Sequence, residues 1–107
     1  MLTIEQIKAA HGPKEFTVKA WGGDVRIRRL TAGDWIDYNA LPDEMSAFDK
    51  LVWLIERCAV NENDSPLFTA DTRYLLTDSP LIASRLGNEI IRLNRLEDSE
   101  KNSPASP

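Results

Sequence analysis

One cysteine and one histidine occur in 107 residues, and that scarcity excludes much chemistry. Cys58 has no second thiol to bond, so no intramolecular disulfide can form. Zinc sites built from histidine and cysteine need more ligands of those types than His11 and Cys58 supply. A Cys–His catalytic pair has no supporting motif around either residue. Glycine-rich phosphate loops, the G-x-S-x-G elbow and H-E-x-x-H are all missing. No apolar run reaches the length that crosses a bilayer. The opening MLTIEQIKAAHG lacks the basic-then-apolar order of a signal peptide. These absences predict a cytoplasmic chain with no membrane partner. Cys58 itself falls inside an apolar helical pattern, where a buried structural thiol is expected.

Excess positive charge is also missing. Lysine and arginine number 13 against 17 aspartates and glutamates, a formal net charge of -4. Phosphate contacts require a basic surface, so the total argues against a nucleic-acid partner. The acids are scattered as on a solvated surface, and they single out no catalytic, cofactor-binding or metal-binding residue.

What remains is ordinary globular material, 42% hydrophobic and 28% charged. It fits one domain over residues 1–96 with a modest core, which self-association would help to stabilise. Residues 97–107, EDSEKNSPASP, are polar and proline-containing, and predict a disordered tail.

The fold class expected is α+β and predominantly helical: an N-terminal β-hairpin packed on a bundle of about four helices. Thr3 can cap a short helix through about Ala10, stopped by Gly12-Pro13. EFTVKAWGGDVRIRRL then alternates around Gly22-Gly23, a pair suited to a tight hairpin turn. A loop of those two glycines would set Trp21 against Asp24, Ala20 against Val25 and Val18 against Ile27. Phe16, Val18, Ala20, Val25 and Ile27 then share the face that packs on helices. The other face carries Thr17, Lys19, Trp21, Asp24, Arg26 and Arg28, with Lys19 across from Arg26. That strip reads either as a basic surface for an acidic partner or as a solvated face that protects the hairpin.

Thr31 and Asp34 stand at capping-box spacing before a short helix carrying Trp35, Ile36 and Leu41, closed by Pro42. The clearest helix runs from about Asp43 to Val60, with Phe48, Leu51, Val52, Ile55 and Ala59 on one stripe. Trp53 and Val60 fall on the opposite, polar side. An aromatic there either docks a partner or lies against the hairpin within the domain. Thr69 can cap a helix carrying Tyr74, Leu75 and Leu76. Ser79-Pro80 opens a last helix with the stripe Ile82, Leu86, Ile90 and Leu93, leaving Leu81 and Ile91 off it.

Between the long helix and the one carrying Tyr74, Leu75 and Leu76 lies NENDSPLFTADT, residues 61–72, rich in side-chain oxygens. It lacks the twelve-residue ligand spacing, central glycine and terminal glutamate of an EF-hand loop. Its Asn, Asp, Ser and Pro are turn formers, with Leu67 and Phe68 returning to the core.

An apolar helix, Leu51 to Val60, leads into the short turn from Asn61 to Ser65 and then Pro66-Leu67-Phe68-Thr69. Asp71, Leu75-Leu76, Ser79 and Leu93-Asn94-Arg95-Leu96 follow, and an N-terminal hairpin running into Arg29-Leu30-Thr31 precedes. Taken together these resemble the tail assembly chaperones of long-tailed (siphophage, lambda-like) phages. Many relatives have a turn glycine where this chain has Ser65. The resemblance covers most of the chain and implies a non-enzymatic role: binding the aggregation-prone tape measure protein while tail tube subunits polymerise around it. It also implies a host-cytoplasmic location during assembly and absence from the finished virion. In many such phages a programmed ribosomal frameshift makes a longer form that recruits the tail tube protein. Glu100-Lys101-Asn102 is encoded by GAA-AAA-AAC or GAA-AAA-AAT, either of which contains a slippery A-AAA-AA run. A shift there would make Ser103 to Pro107 specific to the short form. Contacts to a client or to further copies are expected at Trp53, Val60, Ile91 and Trp21. A head–tail connector or minor tail subunit is one alternative, and a small regulator binding nucleic acid through Lys19, Arg26, Arg28 and Arg29 is another.

Overall fold

The computed structural model describes residues 1–12 and 15–94. In chain order these form α1 (Ile4–His11), β1 (Glu15–Ala20), β2 (Gly23–Arg28), α2 (Ala32–Asn39), α3 (Ala47–Cys58), β3 (Ala59–Val60), α4 (Tyr74–Thr77) and α5 (Pro80–Leu93). The architecture is α+β, as expected. The expected tail and the Glu100-Lys101-Asn102 segment lie outside the described residues, as do Arg95 and Leu96.

The hairpin forms with the expected faces but a different register. Val18 pairs with Val25, Lys19 with Asp24 and Ala20 with Gly23, so the loop is Trp21-Gly22 rather than Gly22-Gly23. Both loop residues have positive φ, 51° at Trp21 and 75° at Gly22, as the type I′ turn of a two-residue hairpin requires. Moving the turn by one residue changes each partner by two positions. The alternation is therefore preserved, and Phe16, Val18, Ala20, Val25 and Ile27 still face the helices.

A third strand was not expected. The long helix stops at Cys58, and Ala59 and Val60 turn into β3, pairing with Ile27 and Arg26 to complete an antiparallel sheet ordered β1-β2-β3. The start also differs, because Ser46 accepts from the Asp49 amide and places the first turn at Ala47.

One core joins the sheet to the helices. Val18, Val25 and Ile27 pack with Val52, Ile55 and Cys58 of α3 and with Ala83, Leu86 and Ile90 of α5. Gly87 lets α3 and α5 approach closely, since a Cβ there would lie 2.8 Å from Leu51 Cβ. Phe68 returns to this core as expected, whereas Leu67 does not and is 39% exposed. Thr69 does not cap α4; its amide instead donates to Thr72 Oγ1 at 2.9 Å, closing a turn ahead of the helix. Ser79 occupies the N-cap of α5 without a side-chain cap bond, leaving Pro80 at the first turn to set the direction.

Two polar ties fix the remaining connections. Asn94 Oδ1 accepts from the Leu30 amide at 2.9 Å, holding the end of α5 to the segment between β2 and α2. Thr31 caps α2 and completes the capping box with Asp34. By contrast α1, capped by Thr3 and Gln6, buries none of its residues, and Ile4 and Ile7 face outward.

Candidate functional site

The loop at 61–72 is a closed turn. Asn61 Oδ1 accepts from the amides of Asn63 and Ser65 at 2.8 and 3.1 Å, and the Asn61 amide donates to the Ser65 carbonyl at 2.8 Å. The positive φ falls on Asp64, at 64°, a residue type that tolerates the left-handed region. That places the strained position one residue before Ser65. The side-chain oxygens of Asn61 and Asp64 are thus used by the loop's own backbone and by Arg26, whose Nη2 lies 2.7 Å from Asp64 Oδ1. Among the described residues no group of three or more histidine, cysteine, aspartate or glutamate side chains is placed to hold a metal ion.

The outer face of the hairpin is not a continuous basic strip. Lys19 faces Asp24 rather than Arg26, with Nζ 3.0 Å from Oδ1. Arg26 spans Glu15 and Asp64, donating from Nε to Glu15 Oε2 at 2.7 Å. Arg28 Nη1 lies 2.7 Å from Asp34 Oδ2. Three of the four cations expected to meet nucleic acid already face carboxylates, and Arg29 lies over the Phe16 ring at 5.6 Å.

Asp34 is the buried charge among the described residues, only 5% exposed. Besides Arg28 it accepts from the Thr31 amide at 3.0 Å, and Arg57 Nη1 lies 3.2 Å from Oδ1. Burial pushes its pKa up, but the hydrogen bonds from Arg28 and Thr31 outweigh burial and hold it at about 2. Capping-box spacing pointed to the Thr31 contact alone; the two arginines come from β2 and α3 and leave no local signal. The role is structural, tying α2 to both elements.

Cys58 is fully buried and its thiol is pushed up to about 12, chiefly by burial. His11 lies exposed on α1, so the pair offers no nucleophile–base arrangement.

The expected contact residues separate. Val60 is 5% exposed and committed to β3, so it is not available to a partner. Trp53 is half-buried at the edge of a depression that it shares with Arg28 of β2, and its aromatic neighbour lies on α2. Its ring meets Tyr38 of α2 at 6.1 Å between centroids and lies under the Arg57 guanidinium at 4.5 Å. Ile91 is half-buried on α5. Trp21 alone of the four stands well exposed, at 44%.

Trp21 also borders an apolar groove that the sequence did not indicate. With Val25, Leu67, Phe68, Thr72 and Leu75 it encloses an open depression of about 320 Å³, lined almost wholly by carbon. The Trp21 and Phe68 ring centroids are 5.8 Å apart, so the hairpin turn leans on the loop before α4. A larger depression of about 510 Å³ beside Trp53 mixes apolar surface with charged side chains, and its Arg28, Arg57 and Arg73 each face Asp34 or Glu56. Of these two depressions, the first offers apolar surface without charged side chains. Among the described residues no helix is long and apolar enough to cross a membrane.

Comparison with family models, curated proteins and solved structures returns no match.

Proposed function

We propose that the protein is a tail assembly chaperone of a long-tailed phage, non-catalytic, which binds the tape measure protein and keeps it soluble while the tail tube assembles. The reading begins from the resemblance carried by Pro66-Leu67-Phe68-Thr69, Leu75-Leu76 and Leu93-Asn94. The single observation that carries it is Trp21. A bulky aromatic at a left-handed turn position is locally unfavourable, where Asn or Gly would serve better. Broken local rules of this kind concentrate at functional sites. Here the strained residue holds exposed ring surface at the lip of an apolar groove.

Such a groove accepts the apolar stripe of an amphipathic helix, the pattern a long helical client repeats along its length. Leu67 and Leu75 would supply aliphatic contact and Trp21 the aromatic anchor. The protein acts in the host cytoplasm and is left out of the virion. A longer frameshifted form, diverging at Lys101-Asn102, would carry the contact to tail tube protein.

Co-expression with the long helical open reading frame of the same genome tests this. The client is expected in the soluble fraction only when the protein is present, and purified virions should lack the protein. A client that pellets regardless, or a stoichiometric copy in virions as a connector would show, overturns the reading.

A further inference from the structure

We propose that the protein pairs with a second copy of itself through the free edge of β1, antiparallel and centred on Thr17. This inference is independent of the client.

The edge is open and of known polarity. In a hairpin closed by a two-residue turn, the residues flanking the turn exchange backbone hydrogen bonds, and such pairs alternate with non-bonded ones. The register makes Ala20–Gly23, Val18–Val25 and Phe16–Ile27 the bonded pairs. The amide and carbonyl groups of Glu15, Thr17 and Lys19 therefore point away from β2. Among the described residues none of the three makes a backbone hydrogen bond to another element.

The side chains along that edge match themselves. In the segment Glu15-Phe16-Thr17-Val18-Lys19, a two-fold axis at Thr17 sets Glu15 against the partner's Lys19 and Phe16 against the partner's Val18. The three outward-facing residues all fall at hydrogen-bonded positions in this register, so every free edge group of the segment gains a partner. A shift by one residue loses both the backbone bonding and the charge match.

The charges then extend across both hairpins. Glu15 is already held by Arg26, and Lys19 by Asp24. Pairing creates an alternating series of Arg26, Glu15, the partner's Lys19 and the partner's Asp24, repeated on either side of the axis. Charges on an edge strand ordinarily oppose association. Here one of each sign sits two residues either side of the centre, so self-pairing is favoured and other edges are not. The sheet would double to six strands, with the apolar groove at the hairpin turn left clear.

Sedimentation at low salt tests the pairing. Wild type should sediment as a dimer. Lys19→Glu and Glu15→Lys each place like charges opposite one another and should weaken the dimer at least about tenfold. Mixing those two variants in equal amounts restores both cross-axis pairs and should recover a mixed dimer. Thr17→Pro, which removes an amide that β2 does not use, should be monomeric with unchanged circular dichroism. Hydrogen exchange gives a reading without substitution: protection at the Thr17 amide should rise with protein concentration. A monomeric wild type, single variants that dimerise as well as wild type, a mixture that stays monomeric, or Thr17 exchange that ignores concentration would each overturn the proposal.

Discussion

Asp34 Oδ2 lies 2.7 Å from Arg28 Nη1, and this contact between α2 and the end of β2 makes stability depend on acid. The folded carboxyl titrates at about 2 against an ordinary 3.8. A depressed carboxylate contributes fully above the ordinary value and loses its contribution as pH falls through the folded value. About 2 kcal/mol should therefore be lost between roughly pH 4 and pH 2. Asp34→Asn should remove a comparable amount at neutral pH, by taking the carboxylate from Arg28 and one of the two that face Arg57, and should flatten that part of the acid profile. Urea unfolding at several pH values measures both.

Gly87 permits the contact between α3 and α5, and its own helix would otherwise favour alanine by about 1 kcal/mol. The nearest obstruction is Leu51 Cβ, which cannot swing aside as a side-chain end could. Gly87→Ala should thus destabilise by about 1–3 kcal/mol. Leu51→Ala keeps that Cβ but removes Cδ2 and Cγ, which would lie 2.9 and 3.2 Å from the added methyl, so the double variant should lose less than the sum of the two single changes, a non-additivity that a double-mutant cycle reads directly.

Cys58 should resist a thiol reagent at pH 8 in the native protein and react fully once denatured. Its thiol is buried and held at about 12, so the reactive thiolate is scarce as well as inaccessible. Rapid labelling under native conditions would mean that α3 opens locally.

The sequence made the hairpin faces legible because alternation survives a turn displaced by one residue. The register was not legible. Glycine is the residue with least resistance to positive φ, which favours Gly22-Gly23, yet Trp21 takes that conformation while its ring rests on Phe68. β3 was hidden because Ala59 continues the apolar stripe of α3 while Val60 falls beside Trp53 on its other side, and two residues carry no period of their own. Trp53 left a docked partner and packing on the hairpin both open, because its neighbour Tyr38 belongs to another helix, a contact no spacing within α3 reveals. The apolar groove likewise joins a turn, a loop and α4, so only the fold assembles it.

Trp53→Ala is accordingly a stability variant. Removing a half-buried indole that packs on Tyr38 and Arg57 should cost about 2 kcal/mol, less than a fully buried tryptophan. Client solubility should persist under conditions where the variant remains folded.

Trp21→Asn addresses the central claim most directly. Asparagine suits the left-handed position, so relief of strain offsets the lost ring contact and stability should change by no more than about 1 kcal/mol. The measurement is the soluble fraction of tape measure protein co-expressed with wild type or with this variant. Wild type should hold the client in solution, and the variant, equally folded, should let it pellet. A client that stays as soluble with Trp21→Asn as with wild type would contradict the role of the groove, and one that pellets with both would contradict the chaperone itself.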